Sequence, residues 1–527
     1  MTNLCYDKLN QNWRNNMKLR FFALLLVLCL IALPCFAACD TDTDDKSGEG
    51  EGMQGEYQDA DGKYVGSYGV SDWKGATITF LTCSVNPTYE SEILYNTYDD
   101  GLTQTMPEIL NDNLKYRSDY VEEKLNVKIA EQRVYDTSRP GGGMCTEIRT
   151  GNLSATEDYQ IVVPCLYDGA TLAVEGQLHN LLGEDFSGLQ IEAPWWNQDF
   201  NNNMTFGNQL YFTIGDLGTV NKASTAAMYF NLELWNKHGL SEKFGGTPYE
   251  LVRDGKWTVD VVFEAGREIS SDEDNNGIID YKDSFGWGGQ LDDMWSIFYG
   301  SGEKIAKNGS DGYPELSMYS ERSAKLMEKL QEFVQDDEHY ISANDYFGVV
   351  QWPSVLVEEA FTDGRSLFYN GSVGTVINLG VMEQQFGMLP IPKTDEGQDD
   401  YFSLVNPWTS TCFAVPTCVS GDNLKLAIDV LNVMGAESLN TVAPNYQEIL
   451  EYMKIRDDES ADMLNNYILP NRGCDVGMVY KWGALDTLLH DMASANVGTF
   501  ASAYEAKAEK AQNDLDETVA FFESNAK

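Results

Sequence analysis

Positive charge is scarce in this chain. Against 82 Asp and Glu stand 36 Lys and Arg and four His, a formal net charge of −46 over 527 residues. Such a balance argues against nucleic acid, whose phosphates need Lys and Arg, and against docking on anionic headgroups. Net charge chiefly governs solubility, so the acidity does not by itself argue for a cationic ligand. The histidines, His179, His238, His339 and His490, form no HExxH and no tight cluster, which argues against a zinc hydrolase. There is no GxSxG elbow, no P-loop and no CxxC. After residue 39 no apolar run approaches the roughly 20 residues that a membrane span needs. A glycoside hydrolase needs only two carboxylates and stays open on these grounds, but so many acidic residues give no means of choosing the pair.

What is present begins at Met17, with MKLRFFALLLVLCLIALPCFAAC. Lys18 and Arg20 precede an apolar run from Phe21 to Leu33, and Ala37 and Ala38 precede Cys39. That order is a secretory signal peptide. The ending FAAC fits a bacterial lipobox, whereas Cys35 follows Pro34 and fits it poorly. Residues 1–38 are therefore expected to be removed, those before Met17 reading as a misassigned start. Cys39 is expected to be acylated, with palmitate among its chains, and to hold the protein on the extracytoplasmic face of the cell membrane. Residues 39–72 are rich in Asp, Glu, Gly and Ser and poor in aliphatic side chains, and they predict a flexible acidic linker. Six cysteines follow Cys39: Cys83, Cys145, Cys165, Cys412, Cys418 and Cys474. An even number in an exported chain permits disulfides, and free buried thiols remain equally open.

The folded part predicts strands at Ala76–Cys83, Val127–Glu131, Tyr159–Pro164, Leu210–Ile214, Ala226–Phe230, Ser366–Tyr369, Gly387–Pro390 and Thr411–Val415. Helices are expected at Tyr116–Leu125, Thr258–Ile269 with Thr258 as cap, Ser320–Gln335 and Asn423–Met434. Alternating strands and helices give an α/β architecture.

The sharpest local motif is DEDNNGIIDYKD, Asp272–Asp283. Asp272, Asp274 and Asn276 occupy loop positions one, three and five. Gly277 stands where the chain must turn, Ile278 offers its carbonyl, Ile279 can enter the core, and Asp280 and Asp283 close the set. This is the spacing of an EF-hand calcium loop with Asp in place of the final Glu. Oxygen ligands in a flexible ring suit Ca²⁺, and a structural role is expected.

Several stretches, taken in order, resemble the extracellular solute-binding proteins of ABC importers, in the group that includes maltose-binding protein. They are YFNLELWNKHGL, GKWTVDVVFEAGREI, FTDGRSLFYNGSV, FGMLPIPKTDEG and TCFAVPTCVSGDNLKLAIDVLNVM. The resemblance implies a two-lobed periplasmic-binding-protein-like fold with a hinge and an interlobe cleft. Lobe 1 would span 73–218 and return over 403–440. Lobe 2 would span 219–402 and carry the calcium loop, with helices in 441–527 completing both. It implies a non-enzymatic receptor that passes a solute to ABC permease subunits. Eleven Trp and 28 Tyr make a mono- or oligosaccharide the preferred solute. Trp195, Trp196, Trp287, Trp295, Trp352, Trp408 and Trp482 are candidate stacking faces. Position within the resemblance favours Asp292, Trp295, Asn370, Trp408 and Trp482 as ligand-binding residues. A receptor for peptides or another solute is the alternative, followed by a secreted glycan-acting hydrolase or adhesin.

Overall fold

The computed structural model describes residues 56–84, 91–96, 106–450, 457–494 and 498–525. The signal peptide, Cys39 and the linker as far as residue 55 lie outside the described residues.

Two α/β bodies make up the chain from residue 56 onward. The first is built on β1 (Ala76–Ser84), which pairs in parallel with β2 (Val127–Tyr135) on one side and β3 (Ile161–Val163) on the other. Ala76 stands opposite Val127, and Phe80 opposite Ile161. Helix α1 (Glu108–Leu125) starts after Pro107, which cannot continue a helix backwards, and ends at Asn126 in the left-handed region before entering β2. The sequence pattern reaches only the last half of this helix; its first half also buries Leu110 and Leu114, spaced four apart among polar neighbours. Ile78, Phe80, Val121, Leu125 and Val163 pack with Leu424, Leu431 and Met434 of the helix Gly421–Asn440. The strands expected at 210–214 and 411–415 form isolated bridges, Thr213 to Phe413 and Val162 to Ala414. Both segments switch partners along their length, Gly215 bridging Trp196 and Pro416 bridging Leu178, so no ladder with one strand forms.

The second body has strand order β11-β4-β10-β6-β5. These are β4 (Ala226–Asn231), β5 (Ser270–Ser271), β6 (Ser284–Gly289), β10 (Ser366–Ser372) and β11 (Phe386–Leu389). β6 and β10 are parallel, and β4 runs antiparallel to β10 and β11. A hairpin, β7 (Ala306–Asn308) with β8 (Pro314–Leu316), leaves this part of the chain, and β9 (Tyr340–Ser342) joins β6. The helix expected over Ser320–Gln335 is Glu321–Val334, with Ser320 as its N-cap. Thr258 makes no side-chain cap to Val259–Gly266, and its backbone instead bridges Lys393. Phe263, Trp287 and Phe333 stack as a central layer, with Phe263 and Phe333 centroids 4.3 Å apart. The C-terminal helices serve both bodies: Leu485, Leu488 and Met492 enter the second core, while Leu515 and Phe522 enter the first.

The linker expectation needs a correction at its end. Residues 57–72 lie against the first body, with Tyr57, Tyr64 and Tyr68 packed on its core beside Trp73. Asp429 accepts from the backbone N–H of Gly69 at 2.7 Å and of Val70 at 3.0 Å, and from the Trp73 indole at 3.1 Å. Gly66 passes so close to the helix that a Cβ would come within 2.2 Å of the Asn432 carbonyl oxygen. Low aliphatic content hides this segment, because three spaced tyrosines do the burying. The six cysteines past Cys39 are free thiols.

Candidate functional site

In open α/β sheets, the carboxyl ends of parallel strands are where ligand sites form. Both bodies present such ends to one another. On the first, Thr82, Cys83 and Ser84 at the end of β1 and Val163 at the end of β3 line a cavity of about 120 Å³ with Glu92, Arg139 and Thr411. On the second, a cavity of about 190 Å³ is lined by Gln290, Asp292 and Asp293 beyond β6, and by Asn370, Gly371 and Ser372 at the end of β10. Thr409, on the segment that crosses between the bodies, lines both.

Each half holds a buried polar atom without a partner among the described residues: Arg139 Nε in the first, Asn370 Oδ1 in the second. The rest of the Arg139 guanidinium is held, with Nη2 donating to Cys83 Sγ at 3.0 Å, Nη1 donating to the Trp408 carbonyl, and the group lying 5.2 Å from the Trp408 ring centre. Glu92 is buried, accepts from Thr411 Oγ1 at 2.6 Å, and has its carboxyl pushed up by burial. Arg117, fully buried behind it, donates to the carbonyls of Leu217, Glu92 and Ile93 and to Ser438 Oγ. This brace holds the Glu92 segment in place.

The second half is acidic. Asp293 is buried with its carboxyl pushed up to about 7, chiefly by burial, while the Gln290 N–H and the Asn370 side chain bond to it. Its ordinary value is 3.8. Between these values the native state keeps a proton that the unfolded chain releases, so stability falls as pH rises through that window. Asp293→Asn is expected to flatten the melting temperature across that range. A slope equal to the parent's would contradict this.

Asp292 and Asn370 of the sequence expectation thus line one cavity. Trp408 is half-buried at the junction, backing Arg139. Trp295 and Trp482 require correction. Trp295 is 5 % exposed, stacks on His490 at 4.4 Å and donates from Nε1 to the Asp486 carbonyl at 3.0 Å. Trp482 is 2 % exposed, stacks on Tyr480 and donates to Thr518 Oγ1. Neither ring offers a free face, because core neighbours already satisfy both. Trp195, Trp196 and Trp287 are likewise buried. Trp352, 49 % exposed, stands two residues before Ser354 of the second cavity. Sequence reasoning missed Arg139, Glu92 and Asp293. The first two carry no local signal, whereas Asp293 directly follows Asp292 and opens the helix Asp293–Gly300, all of whose residues are buried.

The loop Asp272–Asp283 joins β5 to β6. Oxygens of Asp272, Asp274 and Asp283 gather within 4.8 Å of one another. Gly277 has φ +84°, and its N–H donates to Asp272 at 2.7 Å. Asp283 is buried, and its carboxylate accepts from the backbone of Glu273 and Asp280. Ile279 packs on the core, while Ile278 is exposed. Arg365 donates to the carbonyls of Tyr281 and Asp283, and it directly precedes β10. The loop therefore abuts both strands that deliver the second cavity.

No family model matches the sequence, and no curated protein matches it. Solved structures do. An ABC substrate-binding protein of Listeria monocytogenes, in complex with cycloalternan, aligns with a TM-score of 0.52 at 13% identity, covering 84% of this chain and 98% of that one. The GacH receptor of Streptomyces glaucescens, described with acarbose, aligns with a TM-score of 0.47 at 13% identity, covering 85% and 99%. The chain has the two-lobed periplasmic-binding-protein fold, with the two bodies as its lobes.

Proposed function

We propose that the protein is a non-catalytic receptor that captures a carbohydrate between its lobes and delivers it to ABC permease subunits. The observation that carries this reading is the pair of unpartnered buried atoms, the donor Arg139 Nε and the acceptor Asn370 Oδ1, on opposite lobes of one cleft. A ligand that satisfies both favours the closed arrangement, because its affinity differs between open and closed states. Carboxylates, amides and hydroxyls line the second-lobe half, where they suit sugar hydroxyls, while the first-lobe half offers more apolar surface beside its polar groups. The sugar-complexed relative with the same fold supports the ligand class. A thermal-shift screen over mono- and oligosaccharides, amino acids and peptides tests it. Stabilisation by a sugar is expected, and stabilisation by peptides alone would transfer the reading to a peptide receptor.

The Asp272–Asp283 loop binds a structural Ca²⁺, with Asp272, Asp274, Asn276, the Ile278 carbonyl, Asp280 and Asp283 as the ligand set. Chelation is expected to lower the melting temperature, and added Ca²⁺ to restore it. Loss of that response in Asp272→Ala/Asp274→Ala would assign the effect to this loop, and an unchanged melting curve with chelator would remove the ion.

Acylation at Cys39 holds the receptor at the extracytoplasmic face, where tethering raises its effective concentration near the permease. Cys39→Ala is expected to release the protein from the membrane fraction or leave an unprocessed precursor. Unaltered fractionation and processing would exclude the anchor.

A further inference from the structure

The largest of these cavities is not in the cleft. It measures about 430 Å³ and lies between α2 (Gln198–Met204) and the 309–312 turn of the β7–β8 hairpin, and it shares no lining residue with either half of the cleft. Its volume falls in the range of small-molecule sites.

The lining is built from amides. Gln198, Asn201, Asn202, Asn208 and Asn308 face it together with Thr205. Asn201 is 6 % exposed, and its orientation is set by Thr213 Oγ1, which donates to its Oδ1 at 2.6 Å. That leaves Asn201 Nδ2 buried with no partner among the described residues. Asn308 is fixed the other way round. Its Nδ2 donates to the carbonyls of Asn202 and Asn203 at 3.1 and 3.2 Å, which leaves Oδ1 buried and unpartnered. One donor and one acceptor thus stand unsatisfied in the same cavity, a state that costs free energy unless a ligand or water completes it.

The chemistry narrows the ligand. No Lys, Arg or His lines the cavity, so it does not suit an anion. Its two carboxylates, Glu192 and Asp311, belong to no converging metal-ligand group among the described residues. Paired amide donors and acceptors beside the apolar Leu182, Ile191 and Leu210 match a molecule that carries hydroxyls on a carbon ring or chain. We propose that this cavity is a second binding site, for a neutral polyhydroxylated ligand of about one sugar unit. It stands on its own observations and does not depend on how the cleft is read.

Titration of Asp292→Ala/Asn370→Ala, in which cleft binding is expected to be weakened about a hundredfold, with glucose, galactose and mannitol followed by saturation-transfer NMR tests the site. At least one probe is expected to bind this variant. Adding Asn201→Leu is expected to weaken binding about tenfold. Because that change also strips Thr213 of its acceptor, Asn202→Trp serves as the second variant, filling the rim from an exposed position. It is expected to weaken binding at least as much. Binding of none of the three probes would overturn the site, as would binding that neither substitution alters.

Discussion

Trp295→Ala is expected to destabilise the unliganded protein by about 3–5 kcal/mol, the usual loss for truncating a buried tryptophan. The ring is buried in the second lobe's core, one face lies on His490, and its N–H is held by the Asp486 carbonyl. Removal opens a cavity and strands that carbonyl. A chemical denaturation curve read without ligand measures the loss. A tryptophan whose exposed face waited for a sugar ring would behave in the opposite way, lowering affinity with little change in the unliganded curve, and that result would return Trp295 to the site.

Asp292→Ala together with Asn370→Ala is expected to weaken sugar binding on the order of a hundredfold, about tenfold for each polar contact removed. The two positions report differently on stability. The Asp292 side chain is nearly half exposed and pairs with His490 at 3.2 Å, so its loss alone costs under about 1 kcal/mol. Asn370 bonds to the buried Asp293 carboxyl, and Asn370→Ala is expected to lower stability as well as affinity. Calorimetric titration of each single variant separates the two effects. Affinity unchanged in both would detach the second cavity from ligand capture.

The fold was legible because its central strands are apolar and short, as in ITFLTC of β1 and the run before Asn370 in β10, and because helices such as Glu321–Val334 keep one apolar face. The segment 57–72 escaped that reading: its contacts are tyrosine rings and backbone N–H groups reaching Asp429, which composition does not register. For the site, Asp292 and Asn370 of the sequence reading line one cavity, Glu92 and Asp293 were missed, and Trp295 and Trp482 are buried in the core. Position within the resemblance brings Trp295 to a helix beside the cavity but does not register that the whole of Asp293–Gly300 is buried. Arg139 was invisible because its role depends on Cys83 and Trp408, far away in sequence and brought together only by the crossing segment.

The central claim is capture of a carbohydrate between the lobes without turnover. Calorimetric titration with the oligosaccharide that most raises the melting temperature, followed by chromatography of the recovered sugar, tests it most directly. A saturable heat at the cleft, lost on changing Asp292 and Asn370, with the sugar recovered intact, is the expected result. Shortened sugar products, or no binding heat from any sugar while peptides bind, would contradict it.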